Sequence, residues 1–117
     1  MKFFFTVLSV LLISQISAAK SVITCLPSTK VSFSENNTSS VSVNGKQSLD
    51  NALKIEVDGA QYKVLSREGV PVLKEKSGKY TIYYASNITV KIEDGTNKYF
   101  EFVSSGLATL MYFGKCN

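Results

Sequence analysis

The chain holds two cysteines, Cys25 and Cys116, placed near the opposite ends of residues 20–117. A bond between them turns almost all of that stretch into one closed loop, so the first and last ordered segments must end as neighbours. Two thiols leave a single intramolecular pairing, and closing so long a loop removes unfolded-state entropy worth about 4–5 kcal/mol on the chain-entropy view. The alternative is a bridge between two chains, which gives a dimer that reductant dissolves.

The preceding segment points to an oxidising compartment. Lys2 charges the start, Phe3 to Ile13 is apolar apart from Thr6 and Ser9, and Ser17-Ala18-Ala19 offers the small residues a signal peptidase needs. A membrane span takes about 20 apolar residues, and this run meets Ser14, Gln15 and Ser17 first. The expected organisation is a secretory leader over 1–19 and one secreted, extracellular domain over 20–117, free of the membrane once the leader is cut. Three glycosylation acceptors fit that route: Asn36, Asn37 and Asn87.

The chain has no histidine. With both cysteines in a bond, nucleophilic triads and ordinary zinc sites lack their members, so no catalytic residue, metal ligand or cofactor is expected. A carboxylate pair could be drawn from the nine acids, but most lie in turns or at outward strand positions. Losing Lys2 with the leader lowers the formal charge from +4 to about +3. One arginine and scattered lysines argue against a nucleic-acid partner. The nearest thing to a cluster, Lys74, Lys76 and Lys79 around Glu75, reads as a solvated hairpin tip.

Beyond the leader the pattern has period two, bounded by turn residues, which predicts an all-β chain of eight or nine short strands. The fold class is a compact antiparallel β-sandwich or small barrel closed by one disulfide. Asn44-Gly45 predicts a tight turn, and Ser48 to Ala52 one helical turn capped by Ser48 or Asp50. A two-residue turn at Asp58-Gly59 pairs Ile55 with Tyr62 and Leu53 with Val64; one at Ser77-Gly78 pairs Leu73 with Ile82 and Val72 with Tyr83. Pro71 starts its strand or lies at an edge. A three-residue loop, Glu93-Asp94-Gly95, sets Ile88 against Phe100, so that Phe100 and Phe102 face inward with Val90 and Ile92. Leu107 to Phe113 is apolar on both faces apart from Thr109 and reads as a central or covered strand, after which Gly114 releases the chain toward Cys25.

Six tyrosines and no tryptophan supply the recognition chemistry, each tyrosine offering a flat face and a hydroxyl at low entropy cost. Tyr80, Tyr83 and Tyr84 are the first candidates for a partner surface, and Arg67 in Arg67-Glu68-Gly69 is the next.

Val22-Ile23-Thr24-Cys25-Leu26, a cysteine on the first strand of a small β domain behind a leader, resembles the MAX-type effectors secreted by plant-pathogenic fungi. That resemblance implies a six-stranded two-sheet sandwich and a non-catalytic protein that binds a host protein through a strand edge or sheet face. The expected state is a monomer, and the expected partner a host or extracellular protein. Ser77-Gly78-Lys79-Tyr80, with the segment Phe102 to Leu110, resembles the periplasmic inhibitors of C-type lysozyme. This second resemblance implies an eight-stranded barrel whose ends a disulfide joins. A carbohydrate-binding or glycan-acting wall protein, using tyrosines and carboxylates, is the remaining alternative.

Overall fold

A computed structural model describes residues 20–117. The leader assigned to residues 1–19 lies outside the described residues. Nine strands form one antiparallel sheet: β1 (Ser21–Ser34), β2 (Asn37–Ser42), β3 (Leu53–Asp58), β4 (Gln61–Val64), β5 (Val70–Ser77), β6 (Tyr80–Ala85), β7 (Ile88–Glu93), β8 (Lys98–Ser105) and β9 (Ala108–Cys116). Each strand pairs with the next, except that β3 pairs with β1, and β1 also pairs with β9. Eight strands therefore close a barrel, with β2 attached outside the ring. Of the two architectures predicted, the barrel is the one formed.

The 14-residue β1 makes closure possible by changing partners along its length. Ser21–Cys25 lie against β3, Thr29–Ser34 against β2, and Cys25–Phe33 against β9 on the other side. The change of partner falls at a β-bulge between Pro27 and Thr29, where a proline without an N–H is tolerated. The strand pivot is tied down locally: the Ser48 hydroxyl donates to the Pro27 carbonyl at 2.7 Å and the Val43 N–H to the Ser28 carbonyl at 2.9 Å. Ser48 lies on the single helical turn α1 (Lys46–Asp50), which begins after Gly45 and has no side-chain cap. The turn predicted at Asn44-Gly45 is thus a helix entry, and Ser48 holds the bulge instead of capping.

The hairpins correct the predicted registers by a common rule. Gly59-Ala60, Gly78-Lys79 and Gly106-Leu107 are the loop pairs, since Asp58 pairs with Gln61, Ser77 with Tyr80 and Ser105 with Ala108. Each glycine has φ near 60° while the residue after it is not left-handed, the arrangement of a type II′ turn with glycine first. Asp58 and Ser77 consequently stay in their strands, and the pairs become Ile55 with Val64 and Leu73 with Tyr84. A shift of two residues preserves the face each side chain takes.

The β7–β8 connection differs in parity, and that matters more. Its loop runs from Asp94 to Asn97, with Asn97 at φ 61°. Ile88 meets Val103, Val90 meets Glu101 and Ile92 meets Tyr99. An odd register change exchanges the faces of β8. Tyr99 and Glu101 therefore point into the barrel, and Phe100 and Phe102, expected inside, point out.

An eight-stranded barrel is just wide enough to be filled by side chains. Cys25, Leu53, Ile55, Val64 and Val90 are fully buried there, joined by Val72, Tyr83, Ile88, Ile92, Tyr99 and Tyr112. Cys25 and Cys116 are directly opposite on β1 and β9 and are disulfide-bonded, so the clasp lies on the strand pair that closes the ring. Gly114 does not release the chain: β9 runs on to Cys116. A Cβ at Gly114 would lie 2.0 Å from the Leu26 carbonyl oxygen, 2.7 Å from the Pro27 Cα and 2.8 Å from the Tyr99 ring. Two of those neighbours are backbone at the bulge. Gly114→Ala is expected to destabilise the barrel by about 1–3 kcal/mol or more through overpacking, read as a lowered midpoint in thermal unfolding.

Candidate functional site: a buried ion pair and an outer aromatic face

A three-residue 3-10 turn, Leu65–Arg67, links β4 to β5 across one end of the barrel. It delivers Arg67 into the interior, where the guanidinium donates to both oxygens of Glu101, Nε to Oε2 at 3.0 Å and Nη2 to Oε1 at 3.1 Å. The Glu101 side chain is fully buried; that of Arg67 keeps 28% exposure. A planar fork matched to a carboxylate suits arginine and not lysine, which accounts for the one arginine in a lysine-rich chain. Burial pushes the Glu101 carboxyl above the usual carboxylate range, and the nearby guanidinium pulls it back only in part. The ring of Tyr112 lies beneath the Arg67 guanidinium at 5.3 Å and the Lys30 ammonium at 5.9 Å, near enough for cation–π attraction. Burial, reinforced by the Glu101 charge, pushes the Tyr99 hydroxyl far up, and no protein group hydrogen-bonds it among the described residues. A hollow of about 340 Å³ outside Arg67 is rimmed by Ser66, Asn87, Ser104 and Ser105.

Arg67 is therefore no free loop contact, and its partner is Glu101, not the adjacent Glu68. Nor does Tyr83 belong to a partner surface. It is inward on β6, 3% exposed, and tilted against Tyr62 with ring centroids 5.4 Å apart. Tyr80 and Tyr84 alternate to the outer face, where both are half-buried. Tyr84 borders a groove with Pro71 and Leu73. Tyr80 lies under the Lys91 ammonium at 4.3 Å. Lys74, Lys76 and Lys79 lie exposed around the β5–β6 tip as expected of a solvated hairpin, where Lys76 pairs with Asp94, Lys79 with Glu93, and Lys74 sits over Tyr62. Asn36 occupies the β1–β2 tip, Asn37 the start of β2 and Asn87 the β6–β7 tip, all exposed and all at the Arg67 end of the barrel.

The parity change on β8 assembles a surface that the sequence reading missed. Phe100 packs against Phe113 of β9 at 5.2 Å and against Phe102 at 6.5 Å between centroids. Phe102 and Phe113 remain 37% and 38% exposed. Because Thr29 pairs with Phe113 and Val31 with Met111, the same outer face continues onto β1, whose Leu26 and Phe33 are also exposed. β9 is thus central, paired with β8 and β1, but not covered on its outer side. The one advance sign was β8 itself, Lys98-Tyr99-Phe100-Glu101-Phe102-Val103, which offers aromatic residues on either face.

Closure removes most strand edges. Among the described residues the outer side of β2 has no partner, and β5 beyond Val72 has none on its β4 side. Every residue of β2 is exposed. The chain matches no protein family, no curated protein and no solved structure.

Proposed function

We propose that residues 20–117 form a non-catalytic protein-binding domain that works outside the cell and engages its partner through the outer face of β8, β9 and β1. The observation that carries this reading is the cluster of Phe100, Phe102 and Phe113, three phenylalanines packed on one another at the surface and not in the core. Contiguous apolar patches of this kind on a small domain mark interaction sites, and aromatic side chains supply much of the binding energy where interfaces bury them. The bonded state of both cysteines is compatible with an oxidising compartment. If the effector resemblance holds, the partner is a host protein.

The test is affinity capture on immobilised protein against a Phe102→Ser/Phe113→Ser variant. Both side chains are already more than a third exposed, so the barrel is expected to survive. A protein captured by the native chain and lost from the variant supports the reading. Equal capture by both, or hydrolysis of a glycan by the native chain, overturns it.

A second reading, inhibition of a C-type lysozyme, is favoured by one observation. The eight-stranded ring with its disulfide joining the first and last strands has the architecture which that resemblance implies. Ser77-Gly78-Lys79-Tyr80 lies at the β5–β6 tip. Mixing the protein with C-type lysozyme is expected to slow cell-wall hydrolysis on this reading, and unchanged turnover dismisses it.

A further inference from the structure

The outer aromatic face has a charged border of unusual construction. Lys98 and Lys115 are direct cross-strand partners on β8 and β9, and both are exposed. Like charges set opposite each other weaken a sheet. Among the described residues neither lysine forms an ion pair, whereas Lys20, Arg67, Lys76 and Lys79 all do. The two acids nearest Lys98 are engaged elsewhere: Glu93, whose ionised form the Lys98 charge also favours, holds Lys79 and Thr96, and Asp94 holds Lys76 and Thr81. Lys91, also without an ion pair among the described residues, lies on the ring of Tyr80.

Between Lys98 and Lys115 lies a shallow hollow of about 410 Å³, walled by Leu26 and Phe113 and floored at Gly114. A smaller one, about 150 Å³, opens on the other side of Lys98 between Tyr80, Lys91 and Phe100. Apolar walls and ammonium groups thus alternate over a short distance. The glycosylation acceptors lie at the opposite end, so glycans there would leave this region open.

We propose that this border is a recognition site for an acidic protein segment. Its carboxylates reach Lys98 and Lys115, and an interleaved aliphatic or aromatic side chain enters the hollow beside Phe113. The inference rests on the protein-binding reading above and adds the chemistry of the partner. An acidic segment relieves the repulsion between the two lysines, and its apolar side chains use phenyl walls that a sulfated glycan would leave exposed. Complementary charge of this kind acts chiefly on encounter rate and specificity, and it weakens with salt.

The test pans a displayed library of short random peptides on the purified, disulfide-bonded protein and titrates the selected peptides against variants. The expected result is a set of acidic peptides carrying apolar residues, bound about tenfold or more weakly by Lys98→Glu/Lys115→Glu and weakened by added salt. Lys115→Glu alone gives an independent readout. It places opposite charges across β8 and β9, so it should raise the unfolding midpoint by roughly one to several degrees while lowering affinity. Neutral or basic peptides, or peptides indifferent to the lysine changes, overturn the proposal. If such peptides are still lost with Phe102→Ser/Phe113→Ser, the protein-binding reading stands without it. If no peptide requires this face, both fall. A heparin-derived oligosaccharide is the competing probe: lysine-dependent binding of it without any acidic peptide assigns the site to a sulfated glycan and overturns the proposal.

Discussion

Arg67→Ala is expected to destabilise the protein by about 3–5 kcal/mol, because it leaves the fully buried carboxylate of Glu101 without its counter-charge. In a domain of this size that corresponds to a fall of roughly 12 °C or more in the unfolding midpoint, measurable by calorimetry. Removing the other partner should cost less. In Glu101→Gln the guanidinium keeps an amide oxygen as acceptor, and being partly exposed it can also turn to water. Exchanging both groups together, as Arg67→Met with Glu101→Leu, should recover most of the loss, since packed apolar groups often replace a buried pair without penalty. A double change as damaging as Arg67→Ala alone would show that the ion pair is not the source of the effect.

The pH dependence has a definite sign. The folded-state pKa of Glu101 is raised from 4.5, so between that value and the folded one the native state holds more protons than the unfolded state. Stability from this group is fully present below about pH 4.5 and is lost as pH rises through the folded value. Relative to Glu101→Gln, the native protein should therefore gain stability on acidification through that window. A relative loss on acidification would contradict burial as the dominant influence on this carboxyl.

Opening the disulfide should have an effect of similar size. Cys25 and Cys116 are 91 residues apart in sequence, and a crosslink of that span is worth about 4–5 kcal/mol on the chain-entropy view. Small domains often have only about 5–15 kcal/mol in total. The expected result for Cys25→Ala/Cys116→Ala is a large fall in unfolding midpoint. Hydrogen exchange should rise first at the amides that join β1 to β9, since those strands lose the clasp at their paired ends. Exchange rising uniformly over the whole sheet would mean that the bond supports the domain globally and not this strand pair in particular.

Much of the fold was readable because alternation and turn glycines are local properties. The all-β class, the strand positions and the pairing of the cysteines needed only the period-two pattern and the residue inventory. What alternation could not settle was the β7–β8 parity. Phe100 and Phe102 outrank Tyr99 and Glu101 on hydrophobicity, so a rule that puts the more apolar face inside chose the wrong face of β8. The deciding facts are non-local: a four-residue loop, and an arginine more than thirty positions upstream that can neutralise Glu101. The candidate site was lost with the same choice, because the phenylalanines assigned to the core are the ones displayed at the surface. Gly114 was misread for a related reason. A glycine near a chain end suggests release, whereas its role here is set by the bulge at Pro27, which only the closed ring brings against it.

The exchange of partners along β1 also bears on the order of assembly during synthesis. β1 is made before the other described strands, and its hairpin with β2 and its pairing with β3 need only the next few dozen residues. Its other side waits for β9, the last of the described strands in chain order. Until then the growing chain carries a long unsatisfied strand flank, the kind of surface that invites wrong pairing between nascent chains. Because Cys116 lies at the end of β9, its bond to Cys25 cannot form before every strand of the ring has been made, and so cannot trap an incomplete barrel. Oxidation of this pair therefore follows the synthesis of the eight strands that close the ring.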